Sequence, residues 1–307
     1  MARVDGQILK TTNLSLANHT ASGIWKKNIR SGVLARLAPQ LPDLKTGQTD
    51  MFTFTGTPKM ELVGESAEKS NTGQKPTKVV ARTYKLQYTH RESQEVMWAD
   101  EEYQIGLMQM IAENVAAASS RALDLLAIHG VNPLTGNTGG VTDYLVGMSG
   151  NKVHIVNQTP NADTDMKALA SQINNAGYVA SGLGLDPTYA SVLSEVENGA
   201  GVQKYPELGF GGFNTENVRG LTAAVSNTVS GSAEGLTTGV KAVMGDFSSF
   251  KWGIARNIPL STILYGDPDG NGDLQRHNEV AFRAEIVIGF AFLDSGDGFS
   301  LLQNNAS

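Results

Sequence analysis

The run from Asn278 to Phe292 alternates without a break, and it constrains the fold more than any other part of this chain. Val280, Phe282, Ala284, Ile286, Ile288, Phe290 and Phe292 fall on one face, and Ala281, Arg283, Glu285, Val287, Gly289 and Ala291 on the other. A period of two over this length predicts a single strand. At ~3.3 Å per residue it runs on the order of 40 Å, well beyond an ordinary strand of about 5–6 residues. A strand of that reach spans a molecule, so the expectation is an elongated subunit.

A second long element precedes it. Between Ala99 and His129 there is no proline and a single glycine, Gly106. Ile105, Met108, Ala112, Val115, Ala118, Ala122 and Leu125 recur at three- and four-residue steps, which predicts one amphipathic helix on the order of 45 Å long. Gly130, Pro133 and Gly136 then stop it. Met97, Met108 and Met110 read as core packing.

The segment from Asp50 to about His90 reads as a long hairpin. Phe52 and Phe54 alternate with threonines on the way out, and Val80, Arg82, Tyr84, Leu86 and Tyr88 share a face on the way back. Its tip, Gly64 to Thr77, has almost no apolar residue, and a two-stranded ribbon is only marginally stable alone. Residues 1 to about 34 are polar with scattered Leu14, Leu16, Ile24, Trp25 and Ile29, the pattern of an arm that docks on something else.

The middle of the chain, about 140 to 265, has short elements rich in Gly, Ser and Asn, and predicts an inserted α/β domain. The acidic residues of Asp163–Asp165 suit a helix start, followed by Met166, Leu169, Ala170 and Ile173. Asp186 and Pro187 open a second helix as N-cap and first-turn proline, packing through Tyr189, Val192 and Val196. Strands are expected at 223–226, 240–244, 251–254 and 261–265.

Composition excludes several functions. The chain has 307 residues, 40% of them hydrophobic, which is enough for sizeable cores. It has no cysteine, so disulfides, thiolate catalysis and cysteine-ligated zinc are all excluded. A net charge of -6 argues against a dedicated nucleic-acid reader, local basic residues in 25–30 notwithstanding. No secretory signal or run of ~18 apolar residues is present, so the Asn-x-Ser/Thr triplets at Asn13, Asn18 and Asn157 carry no weight.

No enzyme signature appears. The five histidines, His19, His90, His129, His154 and His277, are dispersed and lack ligand spacing. The Gly130–Gly136 run is followed by Asn137 rather than lysine, and there is no nucleophile elbow. The sharpest local motif is 267–273, where Asp267, Asp269, Asn271 and Asp273 offer oxygens around glycines, as a calcium loop does. Its twelfth position is Asn278 rather than a bidentate glutamate, so a plain Asp/Gly turn is the leading reading and bound calcium the alternative.

In their order, the arm, protruding hairpin, long helix, inserted domain and closing strand resemble the tailed-phage major capsid proteins of the Hong Kong 97 fold. Local strings support the likeness: Gln74–Thr77, Leu123–Gly130, Leu185–Pro187, Met244–Ser248, and Asn278 with Arg283 and Glu285. The resemblance implies an α+β fold with an N-terminal arm at 1–34, the start of a peripheral domain at 35–49 and an extended loop at 50–90. A spine helix then lies within peripheral residues 91–139, an axial α/β domain covers 140–269, and the peripheral closing strand and tail are 270–307.

It also implies a function. Hexamers and pentamers would close into an icosahedral shell around a double-stranded DNA phage genome, in a virion assembled in the host cytoplasm. Trp25 and Ile29 on the arm and Glu65, Glu68, Lys69 and Lys75 on the loop would meet adjacent subunits. The implied partners are copies of the chain, a portal, a decoration protein and packaged DNA bound without sequence specificity; with no long scaffolding segment before the arm, assembly is expected to be guided by a separate scaffolding protein, the alternative being that the arm itself suffices. No membrane and no cofactor are expected. Some family members cross-link a loop lysine to an asparagine with help from a glutamate. Lys75, Asn278 and Glu285 occupy similar positions, against the simpler readings of a solvated Lys75, a strand-opening Asn278 and an ion-paired Glu285. An encapsulin-like nanocompartment, which uses the same fold around enzyme cargo, is the alternative function, and a soluble α/β enzyme the third.

Overall fold

The computed structural model describes residues 32–41, 44, 48–54, 60–66, 68–69, 76–98, 101–149, 153–208 and 217–304. The chain forms two compact units. One holds Tyr84–Ser119 and Arg256–Val287, and the other Gly32–Thr83, Ser120–Ala255 and Ile288–Ser307.

In chain order, the first elements are α1 (Leu34–Leu37), β1 (Gln40–Leu41), β2 (Gln48–Phe54), β3 (Pro76–Ser93) and α2 (Glu101–Asp124), which ends in a π-helical turn at Leu125–His129. Next come α3 (Leu145–Met148), β4 (His154–Asn157), α4 (Ala162–Asn175), β5 (Gly182–Leu185), α5 (Pro187–Ser194), β6 (Asn217–Val218), β7 (Leu221–Val225) and β8 (Val240–Gly245). The chain closes with β9 (Phe250–Ile263), α6 (Leu274–His277), β10 (Glu279–Phe292) and β11 (Phe299–Gln303). A five-stranded sheet has the order β1-β9-β10-β3-β2, and a six-stranded sheet the order β4-β11-β8-β5-β7-β6. The fold class is α+β, as expected.

The closing strand is present, but only its first half shows the expected contrast between faces. Val280, Phe282 and Ala284 are buried while Arg283 and Glu285 are partly open. From Val287 to Phe292 both faces are buried, because small residues let neighbours close in. At Gly289 a Cβ would stand 2.3 Å from the Leu44 side chain and 2.9 Å from that of Thr83. The alternation there is one of size. Phe290 and Phe292 pack with Phe250, and Phe292 meets Phe299 edge-on at 5.6 Å between ring centroids.

The long helix forms as expected and is stopped by Gly130, whose φ is 70°. Its buried stripe keeps Ala122 and Leu125 and packs Met108 and Val115 against the core, but two of the expected positions are replaced. Leu107 and Ile111 enter the core with Val96, Val280 and Phe282, whereas Ala112 and Ala118 are exposed. Burial follows the larger side chains, since each buried CH₂ contributes about 0.8 kcal/mol. The hairpin is also found, with β2 antiparallel to the start of β3 and Asp50 opposite Val80.

The six-stranded sheet contains β4, β5 and β11, which sequence patterning did not anticipate. All four residues of β5, Gly-Leu-Gly-Leu, are buried, and a Cβ at Gly182 would lie 2.6 Å from the Phe247 ring. α4 is capped by Asn161, whose side chain accepts from the N–H groups of Asp163 and Thr164. Asp186 and Pro187 start α5 as expected. There Ala190 and Leu193 join Tyr189 in the core, while Val192 is 47% exposed and belongs to the surface.

Two expected boundaries change. Residues 299–303, placed in the peripheral tail, instead complete the six-stranded sheet between β4 and β8, with Leu301 opposite Ile155 and Val243. Residues 251–254 and 261–265 are not two strands: β9 runs unbroken through Pro259 from Phe250 to Ile263. Among the described residues β1 covers only Trp252 and Gly253 of that strand. Proline lacks an N–H and is tolerated on such an open edge.

Candidate functional sites

The residues expected to meet neighbouring subunits lie on the hairpin and the arm. Glu65, Glu68 and Lys69 are exposed between β2 and β3. The same segment holds out apolar groups: Phe52 is 70% exposed, and Met60 and Leu62 are fully exposed. Isolated surface apolar groups are ordinary, but here three large ones stand open on one hairpin. Lys78 pairs with Asp50 at 2.8 Å, on the strand diagonal. Trp25, Ile29 and Lys75 lie outside the described residues.

The acidic turn at 267–273 is organised around an arginine. Arg91, on β3, has a nearly buried side chain that donates to Glu279 at 2.8 Å, to the Gly272 carbonyl at 3.0 Å, and to Asp269 and Asp267. Burial alone would lower the Arg91 pKa, but its hydrogen bonds to Glu279 and Asp269 raise it above its ordinary value. Burial would raise Asp269, yet donors on Asn271 and Arg91 hold it below the usual carboxylate range. Asp267 accepts from the Gly270 N–H, and Asp273 caps α6 by accepting from the Arg276 N–H at 3.1 Å. The carboxylates read as candidate calcium ligands are thus engaged by a guanidinium and by the turn's own backbone. Among the described residues no group of three or more His, Cys, Asp or Glu is placed to hold a metal ion.

Of the cross-linking trio, Asn278 and Glu285 are among the described residues. Glu285 pairs with Lys85 at 2.8 Å. Asn278 does not open the strand in extended conformation. It is the C-cap of α6, left-handed with φ 55°, and its carbonyl accepts from the Gln94 N–H at 2.8 Å.

One buried charged residue escaped the sequence reading. Asp124 ends α2 fully buried among apolar neighbours. It accepts from the N–H groups of Val33 at 2.6 Å and Leu34 at 2.9 Å, and from the Thr228 hydroxyl at 2.5 Å. Gly32 donates to Ser120 Oγ at 3.0 Å, and a Cβ there would stand 2.2 Å from the Ser120 carbonyl oxygen. Residues 32–34, assigned to the arm, are therefore buried against the end of α2. Burial pushes the Asp124 carboxyl up to about 6, against the opposing pull of Thr228, Leu34, Val33 and Arg121. The signal available in the sequence was an acid inside the apolar run Leu123–Ile128.

The described histidines are structural or at least partly open to solvent. His129 is buried, with Nε2 3.1 Å from the carbonyls of Thr228 and Val229, and burial lowers its pKa. His90 contacts Glu92 at 2.6 Å. No described helix is long and apolar enough to cross a membrane.

No protein-family model and no curated protein sequence matches the chain. Solved structures do. One from Mycobacterium phage Ogopogo is 40% identical, with TM-score 0.78, over 97% of this chain and 99% of that one. One from Gordonia phage Cozz is 25% identical, with TM-score 0.77, over 97% and 94%. The capsid of an empty GTA particle, 14% identical with TM-score 0.64 over 96% and 98%, shares the fold. A hairpin with outward apolar groups, a long helix and closing strand, and phage relatives matched end to end agree on one assignment: this chain belongs to the tailed-phage major capsid proteins of the Hong Kong 97 fold, structural proteins of the virion capsid.

Proposed function

We propose that the chain assembles with itself into hexamers and pentamers of an icosahedral shell that encloses a double-stranded DNA genome. Assembly takes place in the host cytoplasm, with a portal and a separate scaffolding protein, and a decoration protein binds the finished surface. The observation that carries this reading is the hairpin: Phe52, Met60 and Leu62 are open to solvent in the single chain. Fully burying each on a neighbour contributes about 1.5–3 kcal/mol, so assembly supplies stability that the monomer lacks. A net charge of -6 is compatible with enclosing DNA, since packaging requires no sequence reading and counterions neutralise most phosphate.

The shell is held by non-covalent contacts and performs no catalysis. With Glu285 paired to Lys85, the carboxylate is engaged as an ion-pair partner rather than as a base. Electron microscopy of particles purified from infected cells tests the reading. Closed shells with nuclease-resistant DNA, giving a clean monomer band after boiling in denaturant, are expected. Shells filled with an enzyme in place of DNA would overturn the packaging role, and a covalent ladder would overturn the non-covalent one.

A further inference from the structure

The acidic turn carries an Asn-Gly pair whose surroundings are those of a reacting amide. Asn271 is exposed, and its Nδ2 donates to Asp269 Oδ2 at 3.0 Å while its backbone N–H points to Asp269 Oδ1 at 3.3 Å. Gly272 follows with φ 108°, a conformation that glycine adopts without strain. On the side of Gly272 where a side chain would stand, the His277 ring takes its place, with Nε2 3.2 Å from the position a Cβ would occupy. That puts the imidazole nitrogen within about 6 Å of the Gly272 amide nitrogen, the reach of a proton transfer through one water. Any side chain at 272 would press on the ring.

We propose that Asn271–Gly272 is a self-modification site, at which the chain converts its own asparagine to aspartate and isoaspartate with His277 as general base. His277 takes the proton from the Gly272 N–H, and the nitrogen attacks Asn271 Cγ. His277 returns that proton to the departing nitrogen as the Cγ–Nδ2 bond breaks, so ammonia leaves and the neutral imidazole is restored, while Asp269, which already accepts from Nδ2, holds the amide in place. The product is a five-membered imide. Water then adds to one of its two carbonyls, giving aspartate or isoaspartate. One water is consumed and one ammonia released, and no oxidant or reductant is needed.

The consequence is local and electrostatic. Aspartate adds a charge beside Asp269, in a turn where Arg91 is the cation that meets Asp267, Asp269 and Glu279. Isoaspartate also inserts a methylene into the main chain immediately before Gly272, whose carbonyl accepts from Arg91 at 3.0 Å. Either product changes the cluster that joins β3 to the start of β10.

The chain contains its own control. Asn198–Gly199 is also exposed, but Asn198 Oδ1 is held by the N–H groups of Ala200 at 2.9 Å and Val202 at 3.0 Å, and nothing lies within 4 Å of a Cβ placed on Gly199. Purified full-length protein is aged at about pH 7.5, and peptide mapping by mass spectrometry follows both asparagines, with a protein isoaspartyl methyltransferase reporting isoaspartate. Conversion at Asn271 is expected to be about a hundredfold faster than at Asn198, the low end of what a positioned base contributes. His277→Ala removes most of that advantage while leaving the Asn198 rate unchanged. His277 is exposed, so this variant is not expected to disturb folding, and the unchanged Asn198 rate checks that in the same molecule. Equal rates at the two sites, or an Asn271 rate indifferent to His277→Ala, would overturn the proposal.

Discussion

At Arg91 one guanidinium meets three carboxylates, and this residue shows how far a local motif can mislead. The spacing of Asp267, Asp269, Asn271 and Asp273 is legible in sequence as a set of oxygens, but the cation that meets them comes from a strand about 180 positions earlier, a pairing only tertiary contact makes. Arg91→Ala leaves Glu279 and Asp269 without their partner. A loss of about 2–4 kcal/mol is expected in chemical denaturation, below the full cost of breaking a buried pair because Asp267 is open to solvent. Arg91→Lys recovers part of it, since a point charge cannot donate as a fork. Asp124 sets a pH dependence of definite sign. Its carboxyl rises from 3.8 to about 6 in the folded chain, mainly by burial. The folded state therefore binds the proton more tightly than the unfolded state. Its contribution is most favourable below about pH 4, declines as pH rises towards 6, and is level above that. Across that window the stability of Asp124→Asn relative to the parent should climb by up to about 3 kcal/mol, read as the difference between two denaturation series. A flat difference would show that the carboxyl titrates normally.

Among the elements, β10 and α2 were readable because their length and period leave little choice, whereas β5 and β11 were not. The Gly-Leu-Gly-Leu of β5 has no polar face to announce a strand, because both faces are covered and the glycines admit Phe247. On α2, Leu107 and Ile111 are buried where Ala112 and Ala118 were expected because Phe282 and Val280 decide which face is a core. Close packing makes the second half of β10 intolerant of even one carbon. Gly289→Ala would place its Cβ 2.3 Å from Leu44, and a cost of about 1–3 kcal/mol is expected from the resulting shift. Phe282→Ala in the first half should cost about 3–5 kcal/mol through the cavity it leaves. Thermal denaturation of the two variants separates overpacking from cavity formation by their size.

For the whole molecule, the hairpin is where folding and assembly separate. Replacing Phe52, which is 70% exposed, with Asp should change single-chain stability by no more than about 0.5 kcal/mol yet reduce the yield of shells severalfold. Sedimentation would measure the yield and denaturation the stability; an equal loss in both would place Phe52 in the subunit's own core. The subunit's long elements were legible from the sequence alone: the hairpin, the long helix and the closing strand. Periodicity is local, and a period of two or of about 3.6 held over such lengths has few other solutions. What only tertiary structure decided was which distant groups meet: Arg91 with the acidic turn, Asp124 with residues 33 and 34, and residues 299–303 with the six-stranded sheet. Those pairings depend on burial and charge neutralisation between segments far apart in the chain, and a pattern along one segment carries no record of its partner.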